Sequence, residues 1–284
     1  MPVVVVTDSS ACIPQESADA CGIQVVPLHV LRDGCDLREG VDAMPNDLSG
    51  VTTAGASPAE LSEAYARALE MSDGDGVLAI HISRQLSGTW EAGRVAAQEF
   101  GGAVRIVDSQ SAGMGLGYPA LEAARLAEKG ASLEEAYGRA VDVASRGRCY
   151  IVVDKLDQLR RGGRIGTAAA LLGTALAMKP ILHLVDGKLV LGEKTRTTTK
   201  ALARLVDSAV ERAGLGRVAI AVHHMRARER ADGIAEQLAE RIPDVAESVV
   251  TDFSAVIGAH VGVGAIGVVV CPLPDIDMTI DASA

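Results

Sequence analysis

Aromatic side chains are nearly missing from this chain, with one Trp, four Tyr and two Phe among 284 residues. Its cores must be built from Val, Leu, Ile and Ala, and few rings remain for stacking on nucleobases. Positive charge is also scarce. Lys and Arg number 27 against 37 Asp and Glu, a net charge of −10, and no basic run occurs. Nucleic acid is therefore not an expected partner, because binding it requires clustered cations. No apolar stretch is long enough to span a bilayer. The longest, Val261 to Pro272, is broken by glycines and closed by a proline. Peripheral contact with a membrane stays open. The five cysteines are odd in number and contain no CxxC pair, which argues against a disulfide framework. Met1-Pro2-Val3 leads straight into a strand with no signal-like segment, so a cytoplasmic location is expected.

What the sequence does contain is an alternation of strand and helix patterns. Val3 to Val6 is a continuous apolar run, expected as a buried parallel strand. Gln24 to Val30, Gly76 to Ile82 and Ala103 to Val107 are further strand candidates. Ser57-Pro58-Ala59-Glu60 and Ser132-Leu133-Glu134-Glu135 have the spacing of capping boxes, each opening an amphipathic helix. For the second helix the expected buried face is Leu133, Ala136, Tyr137, Ala140 and Val141. After Arg148 the pattern changes. Asp186-Gly187 between Ile181–Val185 and Lys188–Gly192 predicts a tight hairpin. The helix expected over Thr167–Met178 is apolar nearly all round, which suits either plain core or the lining of a binding slot. These patterns predict two α/β domains. Residues 1–147 hold a mainly parallel sheet with flanking helices, and 148–284 a mixed or antiparallel sheet packed with helices.

In open parallel sheets, ligands gather beyond the carboxyl ends of the strands. Hydroxyls crowd those ends here: Thr7-Asp8-Ser9-Ser10, Ser83 with Leu86-Ser87-Gly88-Thr89, and Asp108-Ser109. Ser87-Gly88-Thr89 stands at an expected helix start, where unpaired N–H groups and a positive dipole favour a small anion. An ordinary helix cap has the same look. Gly262 to Gly267 matches GxGxxG but precedes a strand, so the dinucleotide reading fails on context, and no GxxxxGK[ST] loop exists. The histidines have no HxxxH or HExxH spacing, so no metal site is expected. His260 is expected in a loop over Gly258–Gly262. A serine hydrolase or acyltransferase using Ser87 and His260, with Asp8 or Asp108 as the acid, is an alternative without a GxSxG elbow behind it.

Taken in order, the motifs resemble the DegV family of fatty-acid-binding proteins. Thr7-Asp8-Ser9-Ser10 is similar to its TDSS opening, and His81 to Trp90 to its ISSxLSGTY segment. Val107-Asp108-Ser109 with Gly115-Leu116-Gly117, Leu156 to Gly166, Lys179-Pro180-Ile181-Leu182 and His260 to Ala265 follow in family order. The resemblance implies a long-chain fatty acid held between two domains and no cofactor. Its carboxylate would meet Thr53 and Ser87, with Gly88, Thr89, His260, Arg164, Ser9 and Ser10 around it. It also implies a separate fatty acid kinase that makes the acyl phosphate, the carrier itself catalysing nothing. Ala54-Gly55-Ala56 departs from the family's Ser-Gln-Pro, and Arg84 replaces a serine. Arg84 is expected to face solvent more readily than the carboxylate.

Overall fold

Local capping and β-branched runs set the first half of the chain. The computed structural model describes residues 2–165 and 178–273. β1 (Val4–Asp8) is wholly buried and leads through a 3₁₀ turn, Ser9–Ala11, to α1 (Gln15–Ala20) and β2 (Gln24–Val26). The single strand expected over Gln24–Val30 is two strands. Pro27 has no N–H for a ladder, and the Leu28 N–H donates to Ser9 Oγ at 3.0 Å. The chain then enters β3 (His29–Arg32), which forms a small antiparallel sheet with β4 (Cys35–Arg38) and β5 (Thr52–Ala54).

α2 (Pro58–Met71) and α5 (Leu133–Arg146) both begin with complete capping boxes, Ser57 with Glu60 and Ser132 with Glu135. Between them lie β6 (Val77–His81), α3 (Thr89–Ala97), β7 (Val104–Asp108) and α4 (Met114–Ala127). Strands β2-β1-β6-β7 form a four-stranded sheet, parallel throughout. In α5 the buried residues are Ala136, Ala140 and Val143. Val141, expected inside, is 41% exposed.

The second sheet opens with β8 (Arg148–Val152). It continues after α6 (Asp157–Arg161) with β9 (Lys179–Val185) and β10 (Lys188–Thr195). Asp186 and Gly187 turn the hairpin with φ of 49° and 78°, the left-handed pair a two-residue type I′ turn requires. α7 (Thr198–Ala213), β11 (Val218–His224), α8 (Arg228–Arg241), β12 (Val245–Asp252), α9 (Ala255–Val261) and β13 (Ile266–Pro272) follow. The sheet order is β10-β9-β8-β13-β11-β12, antiparallel except for the parallel β11–β12 pair. All but the last residue of the helix expected over Thr167–Met178 lies outside the described residues, as does Gly166.

The chain is thus two α/β units, one parallel and one mixed. The sheets change over between Arg146 and Arg148, yet the packing is shared. α4 and α5 touch β1, β6 and β7 on one side and β13 on the other. One apolar cluster joins Leu78 and Ile80 of the first sheet to Ala221 and Val269 of the second. α2 and α3 cover the outer face of the first sheet, and α7 and α8 that of the second. The carboxyl rim of the parallel sheet is thereby held against the second unit, where Ser83 Oγ donates to the Gly187 carbonyl at 2.9 Å.

Candidate functional site

A deep cleft opens where the parallel sheet's carboxyl rim meets the second sheet. Its atom-free space, counted with the open solvent at its mouth, is about 900 Å³. Ile82 and Leu86 come from the segment after β6, and Ala112 and Gly113 from the segment before α4. Ile151, Leu184, Leu189, Val268 and Val269 come from the second sheet and its hairpin. Phe253, Val256 and Ile257 close it from the segment around α9. The wall is hydrocarbon apart from a few groups, chiefly Thr53, Ser87, Arg164, His223 and His260, and among the described residues no carboxylate lines it.

Thr53 reaches the cleft because the small sheet packs on α9. Glu39, just past β4, accepts from Ser9 Oγ at 2.7 Å and from the Val256 N–H at 3.3 Å. It thereby ties the first strand's end, the small sheet and α9 together. Thr53 Oγ1 and His260 Nε2 stand 2.8 Å apart, although 207 residues separate them in sequence. His260 is not in a loop, as expected, but near the end of helix α9, which Ser254 caps by accepting from the Ile257 N–H. Gly162 admits the ring, for a Cβ there would lie 2.4 Å from His260 Nδ1.

Ser87 Oγ lies 2.8 Å from Thr89 Oγ1 and accepts from the Thr89 N–H at 3.3 Å. Thr89, the first residue of α3, is buried and orients Ser87 without itself lining the cleft. Gly88 is exposed at the helix cap. Gly55 lines the cleft, and a Cβ on it would stand 2.5 Å from Thr89 Oγ1 and 3.1 Å from Ser87 Oγ. The departure at position 55 therefore leaves room for the hydroxyl pair. Arg164 donates to the carbonyls of Leu86 and Gly162 at 3.1 and 2.6 Å, bracing the Ser87 loop against the Gly162 loop.

Ser9 and Ser10 stand apart from the lining. Ser9 links Glu39 and Leu28, and Ser10 donates to Asp8 from its N–H and its hydroxyl. Arg84 is exposed, pairs with Asp108 at 3.3 Å and lies over Trp90. The acids considered for a hydrolase are engaged elsewhere: Asp8 with His81 and Asp108 with Arg84. The side-chain bonds of Ser87 and His260 go to Thr89 and Thr53, not to each other. Among the described residues no cluster of three or more His, Cys, Asp or Glu could hold a metal.

Sequence reasoning passed over His223, which lines the cleft and stacks on Phe253 with centroids 5.0 Å apart. Its Nε2 accepts from the Met114 N–H at 3.0 Å. Gly113 allows the approach, since a Cβ there would meet Nε2 at 2.9 Å. Burial lowers its pKa to about 4. Burial, then the nearby Arg164 charge, lowers that of His260 to about 4 as well. Both folded values lie below the ordinary 6.5. As pH falls, the unfolded chain takes up these protons first. Stability from the neutral rings is full above about 6.5 and is lost as pH falls through about 4. The urea midpoint of the unliganded protein should therefore drop between about pH 7 and pH 5. A level midpoint would contradict the buried, neutral placement.

The DegV family model, described as an uncharacterised protein family, matches residues 2–273. The chain belongs to the DegV family. A DegV domain-containing protein of Mycobacterium bovis is 48% identical over 272 residues, 95% of this chain and 97% of that protein. The crystal structure of a DegV family protein from Corynebacterium glutamicum is 40% identical with a TM-score of 0.87, covering 96% of this chain and 99% of that one. A DegV family protein from Thermus thermophilus, described as binding fatty acid, is 33% identical with a TM-score of 0.90, covering 96% and 100%. No helix among the described residues is long and apolar enough to cross a membrane.

Proposed function

We propose that the chain binds a long-chain fatty acid, with the alkyl chain in the apolar cleft and the carboxylate against Thr53 and Ser87. It then presents the acid to a separate kinase for conversion to the acyl phosphate. One observation carries the binding reading: a hydrocarbon-walled cleft lined by hydroxyls and, among the described residues, by no carboxylate. The fatty-acid-binding Thermus thermophilus relative supports it, and the resemblance supports the kinase step.

The hydrogen-bond roles suit an anion. With Nε2 protonated, neutral His260 donates to Thr53 Oγ1 and frees the threonine proton for the carboxylate. With Thr89 Oγ1 as the donor in their 2.8 Å bond, Ser87 Oγ accepts from both the Thr89 hydroxyl and the Thr89 N–H and turns its own proton outward. Burying about fifteen methylenes at about 0.8 kcal/mol each yields at most roughly 12 kcal/mol, before the entropy lost on association. Dehydrating a carboxylate costs several kcal/mol, and hydrogen bonds to the charge return about 1.5–3 kcal/mol each. The chain thus sets affinity and the hydroxyls set orientation. A hydrolase would need His260 aimed at Ser87 with a basicity near the working pH. Here His260 meets Thr53 and its pKa is lowered to about 4.

Solvent extraction of denatured, bacterially expressed protein, followed by mass spectrometry, should release fatty acid in amounts comparable to the protein. Well-folded preparations that release almost none would remove the proposal.

A further inference from the structure

One polar group in the cleft takes no part in holding the carboxylate. His223, on β11, lines the cleft and is 1% exposed. The 14-residue helix α4 starts after Gly113 without a side-chain cap from that residue, and His223 supplies one, its Nε2 accepting from the Met114 N–H at 3.0 Å. A neutral imidazole that accepts at Nε2 carries its proton on Nδ1, and burial keeps the ring neutral by lowering its pKa to about 4. The Nδ1 atom is buried and has no hydrogen-bond partner among the described residues. The Asp252 carbonyl favours the protonated ring but completes no bond to Nδ1. The positive end of the α4 dipole acts on the ring through the Met114 N–H, and a donor at the end of such a chain is strengthened. The ring is also fixed in place. It stacks on Phe253 with centroids 5.0 Å apart. Two glycines admit the pair: a Cβ on Gly113 would lie 2.9 Å from His223 Nε2, and one on Gly267 2.7 Å from Phe253 Cζ.

We propose that His223 Nδ1–H is a second recognition point for the ligand, reading an acceptor oxygen on the alkyl chain, as in an oxo fatty acid. The inference rests on the fatty-acid reading and narrows its substrate class. A plain alkyl chain leaves the buried donor unpaired, which is unfavourable. A chain hydroxyl answers the donor but brings a proton of its own into a hydrocarbon wall. A ketone oxygen only accepts, so it satisfies Nδ1–H and adds no new unpaired group. A site built around one buried donor discriminates against a ligand without the matching acceptor more sharply than an apolar wall can.

The probes are stearate, a series of oxostearates with the carbonyl at successive carbons, and the matching hydroxystearates, all titrated calorimetrically. At least one oxo isomer should bind the wild type about tenfold more tightly than stearate does, the value of one buried donor regaining its partner. Its hydroxy counterpart should gain less. In nitrogen-15 NMR of histidine-labelled wild-type protein, the His223 Nδ1–H signal should move with that isomer and hold still with stearate. His223→Phe preserves a ring on Phe253 and removes the donor, so the ratio of oxo isomer to stearate affinity should fall to about one. That variant also strips the Met114 N–H of its acceptor; if it fails to fold, the wild-type titrations and spectra decide alone. Wild-type protein that binds stearate but prefers no oxo isomer would overturn the inference and leave the carrier reading standing. A still Nδ1–H signal with the tightest isomer, or a preference that survives in folded His223→Phe, would overturn it too. Wild-type protein that binds neither stearate nor any oxo isomer removes the carrier reading and this inference together.

Discussion

A protein carrying both Thr53→Val and Ser87→Ala should bind a long-chain fatty acid about 100-fold more weakly than the wild type, while its affinity for the corresponding methyl ester hardly changes. Both substitutions remove a hydroxyl and little volume, so the fold and the apolar cleft should persist. Each lost hydrogen bond to a carboxylate is worth about 1.5–3 kcal/mol. The two act on one head group and are not additive, so about 3 kcal/mol in total is expected, or roughly 100-fold. The methyl ester has no charge to stabilise. It keeps the alkyl burial that dominates its affinity, so its binding reports whether the cleft has survived. Calorimetry with both ligands, alongside circular dichroism of the variant, separates the outcomes. If acid and ester weaken alike, the variant has damaged the cleft and the hydroxyls are not the clamp. If the wild type binds acid and ester equally, there is no carboxylate clamp to remove.

Features set by neighbours a few residues apart were legible in the sequence. Both capping boxes form because Ser57 with Glu60, and Ser132 with Glu135, satisfy each other's helix end locally. The Asp186-Gly187 hairpin follows from two left-handed residues in a row. Helix α4 was not legible. Gly115, Gly117 and Pro119 look like breakers, and a helix buried on nearly every side carries no 3.6-residue stripe. Its glycines also answer to tertiary neighbours: a Cβ on Gly115 would stand 3.3 Å from Cys149 Sγ, and one on Gly117 2.9 Å from Ile13 Cγ1 and 3.0 Å from the Ala11 carbonyl. Helix α9 was missed for another reason. It has only seven residues, and the glycines around His260 masked the Ser254 cap.

The site divides along the same line. Sequence alone singled out hydroxyls at three strand ends without ranking them. The structure gives Ser10 to Asp8, has Ser109 accept from the Ser111 N–H at 3.1 Å, and leaves Ser87 at the cleft. Thr53 carried no local signal. Its place beside His260 depends on a small sheet whose strands pair across Val30, with Leu37 on one side and Thr53 on the other. That meeting is tertiary, and only the family resemblance pointed to it.

Asp8→Ala should destabilise the fold by about 3–5 kcal/mol, the usual cost of stripping one partner from a buried polar cluster. Asp8 is fully buried at the end of β1. Its carboxylate accepts from the Ser10 N–H at 3.2 Å, from the Ser10 hydroxyl, and from the Ile82 N–H at 3.0 Å, and it lies 3.0 Å from His81 Nδ1. His81 is fully buried too, with Nε2 2.7 Å from the Tyr65 hydroxyl. Burial, with the Asp8 charge behind it, raises the pKa of that phenol well above the usual range, so Tyr65 stays neutral. Gly93 leaves space for the phenol, since a Cβ there would lie 2.5 Å from it. Alanine at position 8 would leave these donors unpaired where water does not reach. Asparagine keeps the shape but turns an amide N–H₂ toward groups that are themselves donors, so Asp8→Asn should also destabilise, by a smaller amount. Urea unfolding at neutral pH measures both. A loss below about 1 kcal/mol for Asp8→Ala would mean that the cluster relaxes or admits water. A loss of the expected size identifies Asp8 as the pin between the 3₁₀ turn and the end of β6, the strand end from which the Ser87 loop departs.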